Sequence, residues 1–294
     1  MTPPSPLRIL VVEGNNRAYN VEKVKWGGAS TAEHYVAVLE GLGEGAQCSI
    51  VRPADADDPG LPANMALTDF HGIAWTGSGM NIYNAQPEAM RQVDLARAAI
   101  AAGVPVFGSC WGLQVATVAA GGSVRRNPRG REVGVARRIV RHGEGVDHPL
   151  FAGKPVAFDA LGVHLDEVET RPPGMVVLAS NAMSEVQAAV IRDASGRELF
   201  WGVQYHPEYG LRDVAATIRR SGHLLIADGL FADRDGLERY AADLKALDAD
   251  PARRDLAWQY GIDATVLDPA LRHAELRNWL RGLSPSPLVG RGSG

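Results

Sequence analysis

Cysteine is scarce: Cys48 and Cys110 are the only two in 294 residues, and they stand far apart in the chain. That excludes a disulfide framework, and a reducing cytoplasm is the expected setting. Long apolar runs are missing too, none approaching the ~20 residues that cross a bilayer. Met1–Arg8 is Pro-rich and has no signal-peptide apolar stretch. No membrane partner is therefore expected. Neither sign of charge is in large excess, 30 Lys+Arg against 34 Asp+Glu giving a formal net charge of −4. Without a basic stripe, no nucleic-acid partner is expected either. The 8 histidines are scattered, with no His-x-x-x-His ligand spacing. No metal is called for. A Gly-rich ATP-pyrophosphatase loop and a Walker-type phosphate cradle are both lacking, and no cofactor is expected.

Hydrophobic residues make up 46% of the chain, enough for a large core. Apolar runs at Leu7–Val12, Gln47–Val51, Gly72–Thr76 and Val104–Phe107 alternate with helical stretches at Thr31–Leu42, Pro87–Ala102 and Leu113–Ala120. Such alternation predicts an α/β fold, an open and mainly parallel sheet flanked by helices. Val133–Val140, Val156–Asp159 and the pair Val186–Arg192 and Glu198–Tyr205 add a small antiparallel part, the last two joined by a Gly-bearing turn. From Arg212 the chain reads as helices, with apolar stripes Leu237-Tyr240-Leu244-Leu247 and Leu276-Trp279-Leu280-Leu283. Asp235 and Glu238 are spaced like a capping box, and Asp250-Pro251 and Asp268-Pro269 like helix starts. The expected organisation is a catalytic domain over 1–211, a helical C-terminal extension over 212–283, and a disordered Ser/Pro/Gly-rich tail over 284–294.

Open parallel sheets bind ligands outside the carboxyl ends of their strands. Gly108-Ser109-Cys110-Trp111-Gly112 falls at such an end, between a strand and a helix. A nucleophile there is lifted out of the sheet, and the helix N-terminus favours a thiolate. Cys48 lacks this setting and is expected to be a buried structural residue. A thiol nucleophile needs a base, and the base an orienter. His206 and Glu208, two apart at the end of an apolar strand, point to one side and supply both. A tetrahedral intermediate needs N–H donors. Gly77-Ser78-Gly79, after the third strand, offers the N–H of Ser78, and Trp111 offers the second. Each motif alone is unspecific: free cysteines are commonly buried structural residues, and Gly77–Gly79 alone reads as an ordinary loop. Their ordered combination is what points to chemistry.

Gly108–Gln114, followed by Gly202-Val203-Gln204-Tyr205-His206-Pro207-Glu208, resembles the class I glutamine amidotransferases, nearest to the amidotransferase part of GMP synthase and its stand-alone homologues. Gly72–Gly79, Arg131-Glu132-Val133-Gly134, His148–Phe151 and His164–Val168 fit in order, so the resemblance spans about Leu7 to Tyr209. It implies a flavodoxin-like fold and a Cys110–His206–Glu208 triad, which hydrolyses the glutamine side-chain amide through a γ-glutamyl thioester. It makes the N–H groups of Ser78 and Trp111 the oxyanion donors. It also implies a substrate pocket with Gly77, Gln114, His164 and Asp166, the last facing the substrate's α-ammonium. Three residues depart from the family pattern. Ser78 stands in a turn that usually reads Gly-Gly-Pro, where a positive φ would strain a serine. Ser109 replaces a usually apolar residue, and Trp111 is bulky beside the nucleophile.

No synthetase half is present. The expected substrate is L-glutamine or another γ-glutamyl compound. The balance falls on glutamine hydrolysis that feeds ammonia to an acceptor on a separate synthetase. The alternatives are a free-standing γ-glutamyl hydrolase or transferase using the same triad, and a non-catalytic sensor or scaffold, whose mark would be a broken triad. The sequence leaves a homo-oligomer open.

Overall fold

The computed structural model describes residues 6–283, so the expected tail at 284–294 lies outside the described residues. In chain order the elements are β1 (Leu7–Val12), α1 (Arg17–Lys25), α2 (Thr31–Gly41), β2 (Ala46–Val51), β3 (Gly72–Trp75), α3 (Pro87–Ala102), β4 (Val106–Ser109), α4 (Trp111–Ala119), β5 (Ser123–Arg126), β6 (Glu132–Arg141), β7 (Ala157–His164), β8 (Asp166–Thr170), β9 (Met175–Ser180), β10 (Ala188–Arg192) and β11 (Glu198–Val203). Helices follow: α5 (Leu211–Arg220), α6 (Gly222–Ala227), α7 (Arg234–Ala249), α8 (Arg254–Gln259), α9 (Ala264–Leu267), α10 (Pro269–Arg272) and α11 (Ala274–Leu283). None of them is long and apolar enough to cross a membrane.

The main sheet runs β2-β1-β3-β4-β11-β10-β9-β6-β7, and β5 and β8 form a separate antiparallel pair. From β2 to β11 every neighbour is parallel. From β11 to β7 every neighbour is antiparallel. β1 is interior to the sheet, between β2 and β3, and covered on both faces, which explains its continuous apolar run. On one face Ile9, Val11 and Phe107 pack with Tyr35 and Leu39 of α2 and Leu276, Trp279 and Leu280 of α11. On the other, Leu10, Val12 and Ile73 pack with Val93 and Ala96 of α3 and Leu113 and Val115 of α4. A third cluster joins Val135 and Leu161 of β6 and β7 to Val214 and Ile218 of α5 and to Leu237, Leu244 and Leu247 of α7. Both C-terminal stripes thus bury themselves against the chain's own sheet and helices.

Local signals act where expected in α3, which opens on Pro87 and closes on Gly103 at φ 67°. Asp268 caps α10, accepting from Ala270 N at 2.8 Å. The cap of α7 is Asp233, which accepts from Gly236 N at 2.7 Å, and not the Asp235–Glu238 pair. Asp250-Pro251 precedes a turn, and α8 starts only at Arg254.

The start of β11 is pinned by charge. Glu198 accepts from His148 Nε2 at 3.1 Å, from Arg192 at 2.8 Å and from Trp201 Nε1 at 2.6 Å. The His148 bond, with help from Arg192 and against partial burial, holds its carboxyl down to about 2 from 4.5. A depressed acid stabilises the fold above its unfolded value and loses that contribution as pH falls through the folded one. Screened by solvent at a partly exposed carboxylate, this shift predicts that Glu198→Gln lowers stability by about 1–2 kcal/mol at pH 7. The deficit should shrink below pH 4.5 and vanish near pH 2. Urea unfolding of both proteins across that range checks it, and a pH-independent deficit would contradict it.

Candidate active site

The carboxyl ends of β1, β3, β4 and β11 converge on one edge. β4 leads into Cys110, the residue before α4, which sits at φ 50° and ψ −96°. A side chain rarely adopts such a backbone, and here it turns the thiol out of the sheet. Its N–H is tied to Val203 O of β11 at 2.7 Å. The tight elbow needs glycines on both sides. A Cβ at Gly108 would lie 2.6 Å from Gly112 C, and one at Gly112 would lie 2.8 Å from Trp75 Cβ.

His206 Nδ1 donates to Glu208 Oε1 at 2.7 Å, and both residues are buried. With Nδ1 protonated, Nε2 is the basic nitrogen of the neutral ring. The ring stacks on Tyr209, centroids 4.0 Å apart and planes 5° apart. On its edge, a Cβ at Gly77 would overlap His206 Cε1, so only glycine fits there. Burial would raise the Glu208 carboxyl, yet the His206 charge and hydrogen bond, its own backbone and Ser109 together hold it below the usual range.

Ser109 explains its own departure from the family pattern. Its hydroxyl donates to Glu208 Oε2 at 3.0 Å, and with its proton committed there it accepts from Tyr35 OH at 3.0 Å. Ser109→Ala would strip a buried carboxylate oxygen of its donor. The expected cost is about 1–3 kcal/mol of stability. A variant that unfolds at the wild-type urea midpoint would show that Ser109 does not carry that load.

Cys110 is buried, 5% exposed. Burial pushes its thiol up to about 12, and the Glu208 and Asp166 carboxylates add to the shift. Opposing them are the Trp111 backbone N–H and Gln204 Nε2, which lies 3.4 Å from Sγ. Desolvation thus outweighs the helix terminus, and the group at rest is a thiol, not the thiolate that the elbow alone suggests. Cys48 is half-buried on β2, with its thiol pushed to about 12 by burial and by Glu40.

Ser78 is not among the residues with positive φ, so serine carries no backbone strain there. Asn15, just past β1, grips the turn from both sides. Its amide donates to Gly77 O at 3.2 Å, and its carbonyl accepts from Gly79 N at 3.0 Å and Ser78 Oγ at 3.2 Å. The bulk of Trp111 is buried in the core. Its indole N–H, with that of Trp75, reaches Gln92 Oε1 at 2.8 Å and 3.1 Å.

Gln114 is buried one helical turn after Cys110, its N–H bonded to Cys110 O at 3.2 Å. Asp166 accepts from Asn81 Nδ2 at 2.7 Å and from Tyr83 OH at 3.0 Å, and burial raises its carboxyl. His164 is differently placed. Nε2 bonds Glu132 at 2.8 Å and Nδ1 bonds the Asp166 carbonyl at 3.1 Å, so both nitrogens serve protein groups. Its position suits holding Asp166 rather than meeting a ligand. Among the described residues no group of His, Cys, Asp and Glu could hold a metal ion.

Asn15, Tyr35, Asn81, Tyr83 and Gln204 were not singled out from the sequence. For Gln204 a signal was available, since it stands two residues before His206 in the same motif. Asn15 lies at the carboxyl end of β1, where the sheet rule directs attention.

An open α/β sheet with a cysteine at a strand-to-helix elbow, beside a buried histidine–glutamate pair, defines an amide hydrolase of the cysteine type. The chain belongs to the class I glutamine amidotransferase family, whose model, "Glutamine amidotransferase class-I", matches residues 41–222. A gamma-glutamyl-L-1-hydroxyisopropylamide hydrolase from a Pseudomonas species is 35% identical over 279 residues, 93% of this chain and 92% of that protein. A glutamine-hydrolysing GMP synthase from Thermomicrobium roseum is 34% identical over 152 residues, 51% of this chain but 25% of that protein. Among solved structures, a glutamine amidotransferase from Thermotoga maritima aligns over 95% of this chain and 99% of its own, with TM-score 0.62 and 16% identity. One from Methylobacillus flagellatus aligns over 96% and 93%, with TM-score 0.57 and 23% identity. These two likenesses are of fold.

Proposed function

We propose that the chain hydrolyses γ-glutamyl amides, with Cys110, His206 and Glu208 as its catalytic triad, and that residues 1–211 form the catalytic domain on which the helices of 212–283 pack. The observation that carries the chemistry is the buried His206–Glu208 pair, 2.7 Å from Nδ1 to Oε1, whose carboxylate charge reaches the elbow cysteine. His206 Nε2 takes the thiol proton as Sγ attacks the amide carbonyl, so no free thiolate accumulates. The N–H groups of Ser78 and Trp111 hold the resulting oxyanion. Collapse breaks the C–N bond, and His206 returns the proton to the leaving amine. Water, deprotonated by His206, then cleaves the γ-glutamyl thioester to glutamate and regenerates the thiol. Asp166, held by Asn81 and Tyr83, faces the substrate α-ammonium, and Gln114 lines the pocket.

The leaving amine separates two readings. An N-alkyl amide is favoured by the Pseudomonas hydrolase, which this chain matches over nearly the whole of both lengths. Glutamine, with ammonia passed to a separate synthetase, is the second reading, favoured by the likeness to GMP synthase over a shorter stretch. The scaffold reading would need a broken triad, and every triad residue is present. Steady-state kinetics on glutamine, γ-glutamyl isopropylamide and γ-glutamyl dipeptides decide between them. A kcat/KM higher for the alkyl amide than for glutamine supports the first reading, and the reverse order overturns it.

A further inference from the structure

We propose that α10 and α11 position the catalytic histidine, with His273 and Glu275 as positioning residues; this rests on the reading of His206 and Glu208 given above. Just past the end of β11, His206 pairs with Glu208, the carboxylate whose charge reaches the Cys110 thiol. Tyr205, the residue before it, enters the apolar core beside α11. There its phenol donates to Glu275 Oε1 at 2.5 Å. Lys154 Nζ donates to the same oxygen at 2.7 Å, and the two charged side chains are 1% and 0% exposed. One residue past His206, the Pro207 carbonyl accepts from His273 Nδ1 at 2.6 Å. The residues on either side of His206 are therefore held by the C-terminal helices, outside the 41–222 stretch that the family model matches.

A buried ion pair is weak evidence for stability. Both ions lose their hydration, and a well-packed apolar pair of similar volume is often as stable or more so. What Glu275 supplies that a leucine would not is a fixed acceptor for one phenol. Because Tyr205 precedes His206 directly, a shift of α11 against Tyr205 becomes a shift of the imidazole against Sγ. α11 is itself anchored, Asn278 Nδ2 donating to Leu150 O at 3.0 Å and Ala152 O at 2.9 Å, the segment that leads to Lys154. Displacements of about 1 Å at a reacting group cost on the order of 10²-fold in rate.

The test uses the full chain with γ-glutamyl isopropylamide and glutamine as probes. One variant is the volume-preserving double Lys154→Met/Glu275→Leu. The other is His273→Ala, paired with His273→Asn, which can still present an N–H near the position of Nδ1. The double variant should keep the wild-type circular dichroism spectrum, with a Tm lowered by no more than the loss of the acceptor for Tyr205 OH implies. Its kcat should fall by about tenfold to a hundredfold, with KM nearly unchanged. His273→Ala should lose kcat in the same way, and His273→Asn should restore most of it. A purely structural role would lower the folded fraction and leave kcat per folded molecule, and the Asn rescue, without effect. Should the double variant fail to fold, the Ala and Asn pair at 273 carries the test. Cys110→Ala and His206→Ala run alongside as controls. If both controls keep wild-type turnover, the assigned triad is wrong, and so is any brace for it. If both controls are dead while folded brace variants retain wild-type kcat, the brace alone is overturned.

Discussion

Cys110→Ala is expected to lose on the order of 10⁶ in kcat on γ-glutamyl amides, the scale on which hydrolases lose rate when the nucleophile is deleted. The thiol constants cannot make this assignment, because burial pushes both cysteines to about 12. What separates them is the setting. Cys110 has a strained elbow backbone and two donors at its sulfur, and it lies within reach of the Glu208 carboxylate that holds His206. Cys48 lies mid-strand on β2, half-buried, with a carboxylate as its charged neighbour. A glutamine-like diazo-ketone should therefore alkylate Cys110 alone, read by mass spectrometry of the peptides. Labelling of Cys48, with activity surviving in Cys110→Ala, would overturn the assignment.

The parallel half of the sheet was legible in the sequence because its strands are short apolar runs closed by glycine-rich turns. α3 was legible to the residue, because proline and glycine mark its two ends. α1 was not among the helices expected from the sequence, for a physical reason. Arg17–Lys25 has no apolar stripe, and its one buried residue is Lys23. Lys23 is held from outside the helix, by a hydrogen bond to Thr31 Oγ1 at 3.2 Å and by its place 5.3 Å above the Tyr209 ring. Tertiary contacts, not periodicity, make that segment a helix. β8 escaped for a related reason, since Asp166–Thr170 carries three acids and pairs only with β5.

The candidate site divides along the same line. The proposed triad of Cys110, His206 and Glu208 could be picked out because the cysteine sits at an elbow and the histidine and glutamate are two apart, although β11 ends at Val203 and both lie in the turn beyond it. The residues that tune them come from remote segments. Tyr35 on α2 meets Ser109 across 74 positions, and Asn15 meets Gly79 across 64. No spacing rule reaches that far. Ser109 is the instructive case. As a sequence feature it is an exception to a family pattern, and in the fold it is a hydrogen bond on the second oxygen of the carboxylate that holds His206.

That carboxylate sets the ranking in the remaining prediction. His206→Ala removes the proposed base, and general acid–base help of this kind is worth about 10²–10⁴ in rate. The loss should be near the upper end here, because a thiol pushed to about 12 cannot ionise unaided at neutral pH. Glu208→Gln should lose less, on the order of 10–10², for a reason visible in the hydrogen bonds. A glutamine can keep its carbonyl on His206 Nδ1 if its amide turns toward Ser109 Oγ, which has a second lone pair beside the one that Tyr35 uses. The correct tautomer then survives, at the cost of one unsatisfied hydroxyl proton, and only the charge that stabilises the imidazolium is lost. Single-turnover kinetics with γ-glutamyl isopropylamide separate acylation from deacylation, and both steps should slow because His206 serves each. Wild-type turnover in a folded His206→Ala protein refutes the assignment. A Glu208→Gln protein slower than His206→Ala would mean that the glutamine forces the wrong tautomer, and that Ser109 does not give way as its geometry allows.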